Sequence, residues 1–135
     1  MEFKNPPIVK NQGGKERCVG FEFEFTGVEM PEAALGIKNL YGGEVEQLSG
    51  YEFKVKNTAF GTFSLELDAS LFLNKKYESV LKSVGIDVNK FKNKEKLEQT
   101  LREMASTVVP FEIITPPIPF SALSRLAELV DELLK

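Results

Sequence analysis

Histidine is missing from all 135 positions, and cysteine occurs once. The first absence excludes Ser–His–Asp triads, histidine general acid–base catalysis and His-ligated zinc. The second excludes an intrachain disulfide and a thiolate metal cluster, and it suits a reducing, cytoplasmic compartment. With no histidine to activate it, Cys18 reads as a small apolar filler at a strand start. No apolar run approaches the ~18 residues of a membrane span, and no signal peptide is expected at the start. A glycine-rich loop followed by Lys-Ser/Thr is also lacking, which excludes a P-loop. Gly13–Gly14 and Gly42–Gly43 read instead as turn and helix-stop residues. Seventeen Lys and Arg against twenty Asp and Glu leave a net charge of -3. With no basic stripe, that balance argues against nucleic acid and membrane surfaces as partners. Chemistry is left mainly to carboxylates, lysines and backbone.

What is present is a globular composition, 42% hydrophobic and 27% charged, in a length suited to one domain with a real core. Residues 1–16 mix Pro, Gly, Asn and Lys without periodicity and read as a leader, extended at Pro6–Pro7 and flexible at Gly13–Gly14. Residues 17–135 read as a single domain. Val19, Phe21, Phe23 and Phe25 alternate with polar or small residues over Arg17–Thr26, which predicts a strand. Pro31 opens a helix through about Tyr41, and Gly42–Gly43 ends it. Glu44–Leu48 and Tyr51–Asn57, split by Ser49–Gly50, predict a hairpin. Thr62–Asp68 predicts another alternating strand. Leu73, Tyr77, Val80, Leu81 and Val84 have helical spacing, with Gly85 as the stop. Asn93 caps a second helix carrying Leu97, Leu101 and Met104. Val108–Thr115 reads as an apolar strand, Pro116–Pro117 as an extended exit, and Ser121 as the cap of a last amphipathic helix. The order β-α-β-β-α-α-β-α predicts an α+β fold, a mainly antiparallel curved sheet with helices packed on one face.

Three of these strands share a pattern. Each sets an apolar face against acids: Glu22 and Glu24 on the first, Glu66 and Asp68 on the second, Glu112 on the third. One reading is a solvated face, because an antiparallel sheet with one wet side alternates in this way. The other is a cation site. A wet face usually mixes signs, and like charges on neighbouring strands destabilise by a few tenths to ~1 kcal/mol per facing pair. Carboxylates without imidazole or thiolate favour a hard ion, Mg²⁺ or Mn²⁺. Mg²⁺ held by one or two carboxylates is usually completed by substrate phosphates, which points towards nucleotide chemistry. Arg17, at the strand entry, could contact an anion or lie on the surface.

At these residues the chain resembles the putative amidoligase family, within the glutamine synthetase-like carboxylate–amine ligases. Pro6–Pro7 with Gly14-Lys15-Glu16-Arg17 resembles the family's leader. Val19-Gly20-Phe21-Glu22-Phe23-Glu24-Phe25 resembles its first strand with the Glu-x-Glu pair. Tyr41-Gly42-Gly43-Glu44-Val45 follows at suitable spacing. Phe63-Ser64-Leu65-Glu66-Leu67-Asp68-Ala69-Ser70 resembles the second acidic strand, and Val109-Pro110-Phe111-Glu112-Ile113-Ile114-Thr115-Pro116-Pro117 the third. The resemblance implies a sheet whose carboxylates hold Mg²⁺ or Mn²⁺ against the phosphates of ATP. It also implies amide formation by way of an acyl phosphate. Glu22, Glu24, Glu66, Asp68 and Glu112 would be the metal ligands, and Thr115 with Pro116–Pro117 would shape the rim of the site. It covers the family's beginning only, so the chain is expected to be an N-terminal portion. Its partner would be the remaining half, a second chain or another copy of itself. The alternative expectation is a non-catalytic binding or structural module derived from that fold.

Overall fold

The computed structural model describes residues 3–67 and 110–135, together with Lys82 and Gly85. The strands are β1 (Cys18–Val19), β2 (Glu22–Phe25), β3 (Glu44–Gln47), β4 (Glu52–Thr58), β5 (Gly61–Leu67), β6 (Phe111–Ile114) and β7 (Ile118–Pro119). Helix α1 spans Met30–Tyr41, and a 3-10 turn at Phe120–Ala122 leads into α2, Leu123–Leu133. Among the described residues the fold is α+β, with every strand pairing antiparallel. The helices expected from the Leu73–Tyr77–Val80 and Leu97–Leu101–Met104 spacings lie outside the described residues. So do Asp68 and Val108–Val109, with which the third acidic strand was expected to begin.

The main sheet has the order β2-β6-β5-β4-β3, and β1 and β7 form a separate two-stranded ribbon. The ribbon continues the β2–β6 pairing. Glu22 faces Ile114, while Val19 faces Ile118, so the later strand gains one residue over the earlier one. That extra residue falls at Pro116–Pro117, where two missing N–H donors suit a bulge better than a ladder. Phe21 N–H donates to the Thr115 hydroxyl at 2.9 Å, and Thr115 N–H to the Phe21 carbonyl at 2.9 Å, carrying the pairing up to the break.

One sheet face is apolar and covered. Phe53, Val55, Phe63, Leu65, Leu67, Phe111 and Ile113 are buried there. Helix α1 packs on β3, β4 and β5, and also against α2. Its buried Met30, Ala33, Ala34, Ile37 and Tyr41 recur at helical spacing. Gly36 faces α2, where a β-carbon would make ordinary contact with the Leu133 side chain at 3.8 Å. Tyr41 ties the layers together. Its ring stacks on Phe63 at 5.5 Å, its hydroxyl donates to the Arg125 carbonyl at 2.7 Å, and the Arg125 guanidinium lies 5.6 Å over the ring. Burial pushes the Tyr41 phenol up to about 12, so it stays protonated at any ordinary pH.

The segment expected as a leader folds back on the body. Lys10 and Glu16 form an antiparallel bridge, and Arg17 N–H donates to the Val9 carbonyl at 2.9 Å. Glu16 then reaches across 105 residues to accept the Ser121 N–H at 2.7 Å. Ser121 was expected to cap the last helix with its own hydroxyl. The cap is instead supplied by this carboxylate, a favourable partner for unpaired N–H groups at a helical start.

Two predictions follow from this frame. Gly43 has φ of 95°, and a β-carbon there would sit 2.3 Å from the Lys56 carbonyl oxygen. Gly43→Ala should cost ~2–4 kcal/mol in urea unfolding, and Gly42→Ala, with open space around it but φ of 76° and ψ of -165°, should cost ~1–3 kcal/mol from backbone strain alone. Hydrogen bonds from the Ser121 hydroxyl and N–H hold the Glu16 carboxyl below the ordinary glutamate range. A depressed carboxyl stabilises the fold above its unfolded pKa and loses that contribution as pH falls through its folded value. The Tm of Glu16→Gln should therefore fall less on acidification than that of the parent chain, with the two curves converging at the acid end.

Candidate functional site

The register of the main sheet decides where the acids go. Glu24 pairs directly with Glu112, Glu112 with Glu66, and Glu66 with Glu52. Four glutamates therefore form one straight row across β2, β6, β5 and β4, on the face opposite the helices. The row beside it reads Glu22, Ile114, Ser64, Lys54 and Glu46. Neighbouring strands lie about 4.8 Å apart, so each glutamate in the first row has the next one at contact range for long side chains. Glu24 and Glu22 are exposed on the edge strand, while Glu112, Glu66 and Glu52 are half-buried towards the sheet centre.

The structure thus brings Glu24, Glu66 and Glu112 together and sets Glu22 one row away. Asp68 lies outside the described residues. Two members were missed in the sequence, Glu52 and Lys54. Taken on its own strand, Glu52-x-Lys54-x-Lys56 is a mixed-sign solvated face, yet the alternation of Phe53 and Val55 already puts it opposite the core. The missing piece was that β4 pairs with acidic β5, so that Glu52 extends the row and Lys54 flanks it. Lys54 forms an ion pair of 3.6 Å with Glu52 on its own strand. At the far edge Lys56 pairs with Glu46.

Arg17 and Thr115 are placed differently. Arg17 is exposed, and its guanidinium donates to the Ile8 carbonyl at 3.3 Å, within the folded-back leader. Thr115 is buried. Its hydroxyl is taken by Phe21 N–H, where it locks β2 to β6 at the bulge. Along the strand it falls on the same face as Phe111 and Ile113, opposite that of Glu112. Thr115 and Glu22 nonetheless share, with Gly20, Phe21 and Ile114, the lining of an open cavity of about 400 Å³ where the ribbon leaves the sheet.

Among the described residues no group of three or more acids or thiols is placed to hold a metal ion. What the row offers is a succession of directly opposed pairs. Such pairs, made of carboxylates alone, suit a hard divalent ion that keeps other oxygen ligands. Among the described residues no helix is long and apolar enough to cross a membrane.

Glu66 stands between Glu52 and Glu112, with a like charge on either side. Glu66→Gln should raise stability in metal-free, low-salt buffer by ~0.5–1 kcal/mol, and the gain should shrink in high salt. Paired thermal melts of the two proteins check this.

Residues 15–135 match the family described as "Putative amidoligase enzyme". No curated protein matches the chain, and no solved structure does.

Proposed function

The chain belongs to the family of putative amidoligase enzymes, a ligase-type family, and from that premise we propose that it carries the metal- and nucleotide-binding face of an ATP-dependent carboxylate–amine ligase. The fold would be the amino-terminal part of a glutamine synthetase-like sheet. The observation that carries this reading is the row Glu24–Glu112–Glu66–Glu52, four like charges placed directly opposite one another. A sheet selected only for stability would interleave signs, as the same sheet does where Glu44 faces Lys56 and Glu46 faces Lys54.

In the proposed reaction a substrate carboxylate oxygen bonds to the γ-phosphorus of ATP, the β–γ bridging bond breaks, and ADP leaves. An amine nitrogen then attacks the acyl carbon of the resulting acyl phosphate. Inorganic phosphate departs with the C–O electron pair, and the nitrogen loses a proton. Mg²⁺ or Mn²⁺, when bound, neutralises charge on the transferring phosphoryl group. The donor set fits such an ion, being all oxygen and arranged in pairs. Glu24 with Glu112, and Glu112 with Glu66, would hold it, with Glu22 at the strand edge and Asp68, by resemblance, at the end of β5. Because the pairs form no closed cage, the phosphates would supply the remaining ligands, as is usual for Mg²⁺. The carboxylates also keep an anionic nucleotide from settling on this face without a cation. The acceptor amine would be bound by elements beyond this face, from the remainder of the fold or a second chain.

Titration of the chain with Mn²⁺, followed by amide NMR broadening, tests the proposal. Broadening should appear first at Glu24, Glu66 and Glu112. A non-hydrolysable ATP analogue should tighten the apparent Mn²⁺ affinity by about tenfold or more, and the triple Gln variant should abolish both effects. Absence of localised broadening in the parent chain overturns the reading.

A further inference from the structure

The main sheet ends in β2 on one side and β3 on the other, and the two edges present different surfaces. On β3 the Leu48 N–H donates to the Glu52 carbonyl at 3.0 Å. In an antiparallel ladder the residues that exchange hydrogen bonds with the neighbour alternate along the strand. Leu48, Glu46 and Glu44 therefore turn their backbone groups towards β4. Val45 and Gln47 lie opposite Val55 and Phe53 at the alternate positions, and turn their N–H and C=O groups outwards. Among the described residues nothing pairs with these groups. Every residue of β3 is exposed. Val45 and the adjoining Leu48 are large apolar side chains left to solvent, 39% and 45% exposed. The strand holds no Pro or Lys, the residues that commonly block an edge.

An edge that alternates outward donors and acceptors is complementary to itself when turned antiparallel. With Val45 opposite Gln47 of a second copy, and Gln47 opposite that copy's Val45, every outward group of the strand is satisfied. Glu46 then meets its own counterpart at the two-fold axis. Each Glu46 is already paired with Lys56, so the contact joins two ion pairs rather than two bare carboxylates. Edge β2 lacks that compensation. The Phe21 carbonyl is taken by Thr115 N–H on β6, so the outward groups of β2 belong to Glu22 and Glu24. The same central pairing there would set Glu22 opposite Glu24, with no Lys or Arg in β2 or β6 to offset them. We propose that β3 is a self-association edge, at which a second copy of this chain pairs β3 to β3 and joins the two sheets into one. The axis of such a pairing stands perpendicular to the sheet. Both copies therefore keep their helices on one side and their glutamate rows on the other. The contact lies at the edge remote from Glu24 and Glu112 and needs neither metal nor nucleotide.

Sedimentation velocity of the full chain from about 10 µM to about 1 mM tests this, a range suited to a short edge of small contact area. The parent should shift from 15.1 kDa towards twice that mass. Over the same range amide hydrogen exchange at Val45 and Gln47 should slow by about tenfold, with Glu22 and Glu24 unchanged. Val45→Pro removes an outward N–H, which an edge strand tolerates, and should abolish the shift. Val45→Lys, a charge set on the edge, should abolish it too and serves where thermal melts show that proline unfolds the strand. Lys56→Gln leaves the two Glu46 side chains uncompensated and should weaken association by about threefold or more at low salt, with recovery in high salt. A parent chain that stays monomeric at about 1 mM overturns the proposal. So does a dimer whose exchange slows at Glu22 and Glu24 instead of Val45 and Gln47, or a folded Val45 variant that associates like the parent. Unchanged association of Lys56→Gln overturns the register centred on Glu46.

Discussion

Strand register is the constraint on which the rest depends. Beneath the row of glutamates runs a second row, Phe23–Ile113–Leu65–Phe53, set by the same pairings and facing the helices. Burying each such side chain is worth ~1.5–3 kcal/mol, against a few tenths to ~1 kcal/mol for each opposed pair of acids. The apolar row wins. A slip of one residue would relieve the repulsion, but it would turn every phenylalanine and leucine of a strand to water. The acids are therefore held in line by the core beneath them, and their repulsion is a cost that core can carry.

The hairpin and its neighbours are built to keep that register. The β4–β5 pairing shifts by one residue between Val55 and Thr58, where Asn57 takes φ of 59°. The Thr58 hydroxyl donates to the Gly61 carbonyl at 2.6 Å and accepts the Phe60 and Gly61 N–H groups at 3.2 Å, closing the turn. Ala59 N–H reaches the Tyr41 carbonyl at 3.0 Å, so the turn is pinned to the end of α1. On the other side of β5, a β-carbon at Gly61 would come 3.2 Å from the Pro116 ring, which lets the bulge of the β6–β7 segment lie against the hairpin. Helix, turn and proline bulge thus meet at one end of the sheet, and the acid row lies further along the same strands.

Alternation made much of this legible in the sequence. Phe-x-Phe-x-Phe with Glu between, and Phe63–Leu65–Leu67 with Ser64 and Glu66 between, can hardly be anything but half-buried strands. They also place Glu22, Glu24, Glu66 and Glu112 on the face opposite the apolar one. What alternation cannot give is which strand lies beside which. The pairing of Glu66 with Glu52, and hence the inclusion of Glu52 and Lys54, depends on the hairpin joining β4 to β5. Read one strand at a time, Glu52-x-Lys54-x-Lys56 is an ordinary solvated edge. The Glu16 cap on Ser121 was hidden for a related reason. It joins positions 105 residues apart, and the local pattern offered a plausible cap in the Ser121 hydroxyl itself.

The openness of the acid row bears on how a ligand would be recognised. Three convergent donors would bind a divalent ion in the absence of substrate. Under the proposed reading, opposed pairs would hold it only partly and leave room for phosphate oxygens in its coordination shell. Cation and nucleotide would then each supply what the other lacks: the ion would offset repulsion between carboxylates that the core holds together, and the phosphates would complete the ion. Like-charge crowding along the row would, on the same reading, favour the metal-bound sheet over the metal-free one, while Lys54 tempers it at the Glu52 end.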